Sequence, residues 1–281
     1  MKILVTGKNG QLGSELKDLQ QKYPDYEMIF VGREEIDLSI LQQITEVLNV
    51  IKPEIIINAG AYTAVDKAET EQELCDKVNH QAIETIGKWA AVHNAKVIHI
   101  STDYVFDGTS KTPLKETDAT APINTYGHTK LKGEHALVAS GADYVIIRTA
   151  WVYSVYGSNF VKTMLRLMNE RDEISVVADQ IGTPTYAKDL AQAVLDIVSA
   201  PKFISGIYHY SNEGSISWHE FATAIKEIKG FATKINAIGS EAFPTPAKRP
   251  SYSLLDKNKI KEVYKVTVPN WKESLNAMLR R

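Results

Sequence analysis

Two periods of apolar spacing run along this chain, and the change from one to the other marks its elements. Ile3-Leu4-Val5 forms a short apolar run within Lys2–Thr6 that Gly7 closes, the pattern of a strand buried on both faces. Gln11–Lys22 then places Leu12, Leu16 and Leu19 on one helical face. Met28–Val31 reads as a second strand, and Ile40–Ile51 as a helix that ends before Pro53, because a residue ahead of proline is pushed out of the helical region. Glu54–Asn58 is a β-branched third strand, Glu71–His93 one long helix and Lys96–Ser101 a fourth strand. Tyr126–Ala139 is helical and Tyr144–Arg148 is a fifth strand. Strands alternating with helices predict an α/β fold: a Rossmann-type, doubly wound parallel sheet covered by helices on both faces.

After Trp151 the rhythm loosens. Phe160–Asn169, Lys188–Ser199, Trp218–Lys229 and Trp271–Leu279 have helical spacing, while Ile174–Val177 and Gly206–Tyr210 read as strands. Three prolines keep Phe243–Pro250 out of regular structure. The chain therefore reads as a dinucleotide-binding region over 1–150 and a smaller C-terminal substrate-binding lobe over 151–281. No low-complexity linker separates the two, so the second is expected to be interwoven with the first.

Composition narrows the class. The chain has 281 residues, 44% of them hydrophobic, enough for a substantial core. Its 32 basic and 34 acidic side chains leave a formal charge of −2, and no basic run suggests a nucleic-acid or membrane surface. The single cysteine, Cys75, cannot form an intramolecular disulfide. The N-terminal apolar run is too short for a signal peptide or a membrane span, so the expectation is a cytoplasmic protein.

Chemistry is concentrated at the strand ends. Gly7, Gly10 and Gly13 follow a strand and open a helix, the context of a dinucleotide pyrophosphate seat, although the spacing is Gly-x-x-Gly-x-x-Gly. Gly7 would make the turn, Gly10 would let backbone approach a phosphate, and Gly13 would let the helix pack on the strand. At the end of the second strand, Arg33 stands where a 2′-phosphate could sit, which favours NADPH over NADH; a solvated surface arginine is the other reading. Asp37 and Leu38 could cover the adenine edge, or Asp37 could cap the next helix. Asn58-Ala59-Gly60-Ala61 ends the third strand in small residues, leaving room for a ligand across the sheet edge. Thr102, in Ser101-Thr102-Asp103-Tyr104, brings a hydroxyl to that edge that can donate to a carbonyl oxygen. Tyr126 and Lys130 lie four apart on one helix face, where a cation would make the phenol's proton easier to move. Together these groups point to hydride transfer at a carbonyl, with Tyr126 handling the proton.

These residues resemble the extended short-chain dehydrogenase/reductases, and among them the reductases of nucleotide-linked 4-keto sugars. The likeness is carried by Gly7-Lys-Asn-Gly-Gln-Leu-Gly13, Asn58-Ala-Gly-Ala-Tyr-Thr-Ala-Val-Asp66, Ser101-Thr-Asp-Tyr-Val-Phe106 and Tyr126-Gly-His-Thr-Lys130. It continues in Arg148-Thr-Ala-Trp-Val-Tyr153, Asp179-Gln-Ile-Gly-Thr-Pro-Thr185 and Pro246-Ala-Lys-Arg-Pro250. The resemblance implies that NADPH delivers hydride to C4 of dTDP-4-dehydro-β-L-rhamnose and that Tyr126 protonates the alkoxide, for a bacterial cell-surface polysaccharide. It implies that Thr102 polarises the carbonyl, that Lys130 tunes Tyr126 and holds the ribose, and that Asn79 supports the site. It places Gly10, Gln11, Leu12, Ala61 and Thr63 against the cofactor, and Asp103, Trp151 and Arg249 against the sugar nucleotide. Two alternatives follow from the same resemblance: a related epimerase, and a non-catalytic NADP-binding regulatory subunit like the β-subunit of animal methionine adenosyltransferase. Dehydratases of this superfamily carry Thr-Asp-Glu, and Tyr104 replaces that glutamate here. Some relatives hold Mg²⁺ at a dimer contact; Glu15 lies where one such ligand would be, and Mg²⁺ stays open without further support from the sequence. A homodimer is the default assembly, and no metal site is expected.

Overall fold

The computed structural model describes residues 1–281. Its central sheet holds β1 (Lys2–Thr6), β2 (Glu27–Val31), β3 (Ile55–Asn58), β4 (Lys96–Thr102), β5 (Asp143–Thr149) and a sixth strand, Gly206–His209. All pairings are parallel, in the order Gly206–His209, β5, β4, β3, β1, β2. The order runs outward both ways from the middle of the sheet, as a doubly wound sheet requires.

Period-two alternation decides which face each side chain serves. Ile3, Val5, Ile55 and Ile57 pack with Leu12, Leu16 and Leu19 of helix Gln11–Leu19 and with Leu190 and Val194 of helix Ala187–Val198. Leu4, Ile56, Val97 and Ile146 face the other way, onto Ile44 and Leu48 of helix Leu41–Ile51 and Ile83 and Ile86 of helix Ala82–His93. The sixth strand and helix Ala187–Val198 come from beyond Trp151, so sequence on both sides of that residue builds one sheet. A separate core forms around Tyr153, Val161, Met164, Phe221, Ile225 and Leu275.

Several elements differ from the sequence expectation, among them the short helices Val65–Ala68 and Asn258–Tyr264, which it did not include. The first helix ends at Leu19 and tightens into a 3₁₀ turn over Gln20–Lys22. The stretch expected as one helix over Glu71–His93 is helical from Gln72, but it widens into a π turn at Lys77–Gln81. Lys234–Ile238, not expected as a strand, pairs in parallel with Glu173–Val177. Its pattern is mostly half-exposed, which leaves little apolar alternation to read.

Candidate active site

Gly7 has φ +74°, and a β-carbon there would lie 2.8 Å from the Ala59 carbonyl, so only glycine suits the turn. A β-carbon on Gly13 would stand 2.2 Å from the Gly7 carbonyl oxygen. Gly13 is thus small to let the helix close on the loop, not on the strand as expected, and it does not line the cavity below. Gly10 caps helix Gln11–Leu19 with backbone alone, and no acidic side chain occupies the first turn. The first-turn amides have no hydrogen-bond acceptor from the chain, the state in which a helix start can take an anion.

That turn opens onto a cavity of about 1010 Å³ at the carboxyl ends of the strands. Gly7, Gly10, Gln11 and Leu12 form one end. Arg33, Asp37 and Leu38 line it beside β2, and Ala59, Gly60, Ala61 and Thr63 beside β3. The far wall holds Thr102, Asp103, Tyr126, Lys130 and Trp151. Residues spread over most of the chain's first 151 positions therefore meet in one space.

Helix Thr125–Ala139 carries Tyr126 and Lys130. The Asn124 side chain caps it by accepting from Gly127 N at 2.8 Å, and Asn124 Nδ2 donates to the Lys248 carbonyl at 2.7 Å. Two glycines let the helix sit close. A β-carbon on Gly127 would be 2.2 Å from Tyr104 O, and one on Gly133 would be 2.2 Å from Asn79 O. Asn79 lies in the π turn, where its side chain accepts from Tyr62 N at 2.9 Å and donates to Tyr62 O at 3.0 Å. It therefore ties the loop after β3 to the site without lining the cavity.

Burial pushes the Tyr126 phenol above its ordinary value, while a hydrogen bond with Thr102 pulls it down. Lys130 does not act on it in the expected way. Its Nζ donates to the Ile100 carbonyl at 2.7 Å and lies 3.3 Å from His99 Nε2, towards the sheet. Burial lowers Lys130 to about 8, opposed by Glu134 and Cys75. Thr102 Oγ1 donates to Asp103 Oδ1 at 3.1 Å and accepts from Tyr104 N at 3.2 Å. Burial pushes the Asp103 carboxyl up to about 6, and its other oxygen has no partner. The Tyr104 and Tyr126 rings meet edge to face at 5.6 Å.

Trp151 has a positive φ of 49° and stacks on Trp218 with ring centroids 3.6 Å apart. Sequence reasoning missed Trp218, which also lines the cavity. It opens a helix behind a Ser217–Glu220 capping box, a signal that marks a helix start and says nothing of a ligand.

Two expected residues are placed otherwise. Arg249 does not line the cavity. It pairs through both terminal nitrogens with Asp66, at 3.0 and 2.9 Å, and donates to the Ala247 carbonyl. Asp37 does not cap a helix. It accepts from Ser39 N at 2.9 Å in a tight turn and pairs with the exposed Arg33. A divalent cation does not fit at Glu15 either. This buried carboxylate accepts from Arg281 Nη1 and Ser154 Oγ, each at 2.6 Å, so a guanidinium already neutralises it.

A parallel sheet whose strand ends bring a glycine turn, a threonine, a tyrosine and a lysine to one cavity defines a Rossmann-type protein of the short-chain dehydrogenase/reductase class. Over residues 1–281 the sequence matches the RmlD substrate binding domain, and the chain belongs to that family. A dTDP-4-dehydrorhamnose reductase of Sinorhizobium fredii is 42% identical over 99% of this chain and 97% of its own length. A dTDP-4-dehydrorhamnose reductase structure from Clostridium acetobutylicum superposes with TM-score 0.95 and 40% identity, covering 100% of this chain and 99% of the other. One from Bacillus anthracis, solved in complex with NADP, gives TM-score 0.94 and 38% identity, with 99% and 98% covered. A UDP-glucose 4-epimerase of Thermus thermophilus shares the fold at 19% identity, TM-score 0.84, with 100% and 98% covered.

Proposed function

We propose that this protein is an NADPH-dependent oxidoreductase that reduces the C4 keto group of dTDP-4-dehydro-β-L-rhamnose to dTDP-L-rhamnose. The reading is supported most directly by full-length relatives near 40% identity that carry this activity in their names, one of them solved with NADP. The cavity fits such a cofactor. The unpaired amides at Gln11 and Leu12 suit a pyrophosphate, Arg33 suits a 2′-phosphate, and the small Ala59 and Gly60 leave room across the sheet edge. Bound there, the cofactor supplies hydride to the carbonyl carbon.

The chain's own groups then handle the oxygen. Tyr126 gives its proton to the alkoxide, and a phenol held protonated by burial suits a donor in the reducing direction. Thr102 sits beside it to hydrogen-bond the same oxygen. That role needs a free proton on Thr102, which currently goes to Asp103. Asp103, close to its protonation point, can release Thr102 by becoming the donor itself. Trp151 and Trp218 offer a stacked aromatic wall for the sugar nucleotide.

No helix is long and apolar enough to cross a membrane. As finer readings, we place the protein in the cytoplasm, take a homodimer as its default assembly, and put its role in dTDP-L-rhamnose synthesis for a bacterial cell-surface polysaccharide.

The deciding test follows NADPH oxidation on dTDP-4-dehydro-L-rhamnose made in situ. Turnover supports the reading. NADPH binding without turnover favours the regulatory-subunit alternative.

A further inference from the structure

A row of buried polar residues runs across three strands of the sheet. Thr6 on β1 is the register partner of Asn58 on β3, and Asn58 is the partner of His99 on β4. In-register residues on adjacent strands point to the same face. Thr6 is 3% exposed, Asn58 1% and His99 0%, so their hydrogen bonds must be made to one another or to backbone. The row ends at Lys130 Nζ, 3.3 Å from His99 Nε2.

The direction of every bond in this row follows from Gly60. Gly60 N can only donate, and it donates to Thr6 Oγ1 at 3.1 Å. Thr6 passes its own proton to Asn58 Oδ1 at 2.7 Å. The other end of that amide, Asn58 Nδ2, lies 3.2 Å from the Gly60 carbonyl, which can only accept. Two backbone groups of one residue thus fix which end of the Asn58 amide is which. Asn58 Nδ2 then donates its second proton to His99 Nδ1, 3.0 Å away. Complete burial disfavours the doubly protonated ring, so the ring proton resides on Nε2 and faces Lys130.

We propose that Gly60, acting through Thr6 and Asn58, fixes His99 as the Nε2–H tautomer, and that His99 is a positioning residue which donates this hydrogen bond to Lys130. An ammonium at Nζ would set two donors head to head, whereas an amine accepts from Nε2–H and still donates to the Ile100 carbonyl. His99 thereby brings the charge change of Lys130 down towards neutral pH and links it to Gly60, a residue of the cavity wall. The other groups acting on Lys130, Glu134 on its own helix and Cys75 on helix Gln72–Asp76, both favour the cation. Glu134 is already engaged by Arg148 at 2.7 Å, and its contribution is shared.

The assignment of His99 stands on geometry; its consequence for turnover rests on the function proposed above. The test is nitrogen-15 NMR of the whole protein labelled at the histidine rings, near neutral pH. His99 signals are assigned by their absence in His99→Gln or, if that variant does not fold, by through-bond correlation to the wild-type backbone. A bare Nδ1 and a protonated Nε2 support the proposal; a protonated Nδ1 overturns it. The Cε shift of Lys130, titrated in samples that also carry carbon-13 at lysine, reads the consequence. His99→Gln should raise its midpoint by about one pH unit, an about tenfold tighter hold on the proton, and the alkaline limb of kcat should move with it. An unmoved midpoint overturns the proposal even if the reductase activity is present. If wild type lacks that activity, the tautomer and the midpoint still decide the role of His99.

Discussion

The two walls of the cavity are built on different principles. Towards the cofactor end, Gly7, Gly10, Ala59 and Gly60 present backbone, and what counts is the absence of side chains. Across from it, Thr102, Asp103, Tyr126, Trp151 and Trp218 present side chains that lean on one another, Thr102 on its neighbour Asp103 and Trp151 on the distant Trp218. A backbone wall tolerates almost no added volume, but its chemistry is generic. A side-chain wall tolerates reshaping but loses a specific function with each residue removed.

The sharpest way to break this contrast is to change one atom on the side-chain wall. Tyr126→Phe should lower kcat by about 10²–10⁴-fold while NADPH affinity and melting temperature stay near wild type; a kcat within a few fold of wild type would remove Tyr126 as proton donor. Behind the backbone wall, where Gly13 lets the first helix close on the Gly7 turn, the matching change is volume. Gly13→Val drives a β-carbon into the Gly7 carbonyl, and should cost about 2–3 kcal/mol of stability and at least about tenfold in NADPH affinity. Urea melts and fluorescence titration read the two effects, and retained affinity would show that the helix start is not the anion seat.

Asp103 extends the comparison to pH. Its carboxyl is raised by burial to about 6 from 3.8, so the folded state binds the proton more tightly than the unfolded chain. Stability contributed at low pH is then lost as pH rises from about 4 to about 6. The difference of about 2.2 pH units corresponds to roughly 3 kcal/mol at most. Asp103→Asn should flatten that slope in urea melts taken across the range; an unchanged slope would mean the carboxyl titrates normally.

Smaller effects belong to aromatic and exposed groups. Trp218→Ala removes a stack worth about 0.5–1.5 kcal/mol, so KM for the sugar nucleotide should rise about three- to tenfold with kcat nearly constant. A fall in kcat alone would place Trp218 outside the binding wall. Arg33 is 77% exposed at its side chain and already paired with Asp37. Arg33→Glu should therefore shift the NADPH-to-NADH preference by no more than about fivefold, read from kcat/KM with each cofactor. A much larger shift would mean that the bound cofactor draws Arg33 away from Asp37 into a buried contact.

How far the site could be read from sequence depended on whether its residues obey a local period. Gly7 and Gly13 follow a strand and start a helix, and Tyr126 and Lys130 are one helical turn apart, so both pairs announce themselves within a few positions. Arg249 lies 183 positions from Asp66, its partner, and nothing local signals that the pair will form. His99 is hidden for the opposite reason. Within Val97-Ile98-His99-Ile100 it looks like one polar residue in a strand, and only the strands beside it reveal a row of hydrogen bonds.

The sequence by itself determined the strand and helix order, the parallel sheet and the sheet edge where the chemistry gathers. These follow from apolar periodicity and turn residues, which act over short distances. Tertiary structure alone decided that Lys130 turns to the sheet, that Trp218 backs Trp151 and that Arg281 neutralises Glu15. Those outcomes depend on which distant groups are left to pair once the backbone has packed, and burial makes an unpaired charge or donor too costly to leave.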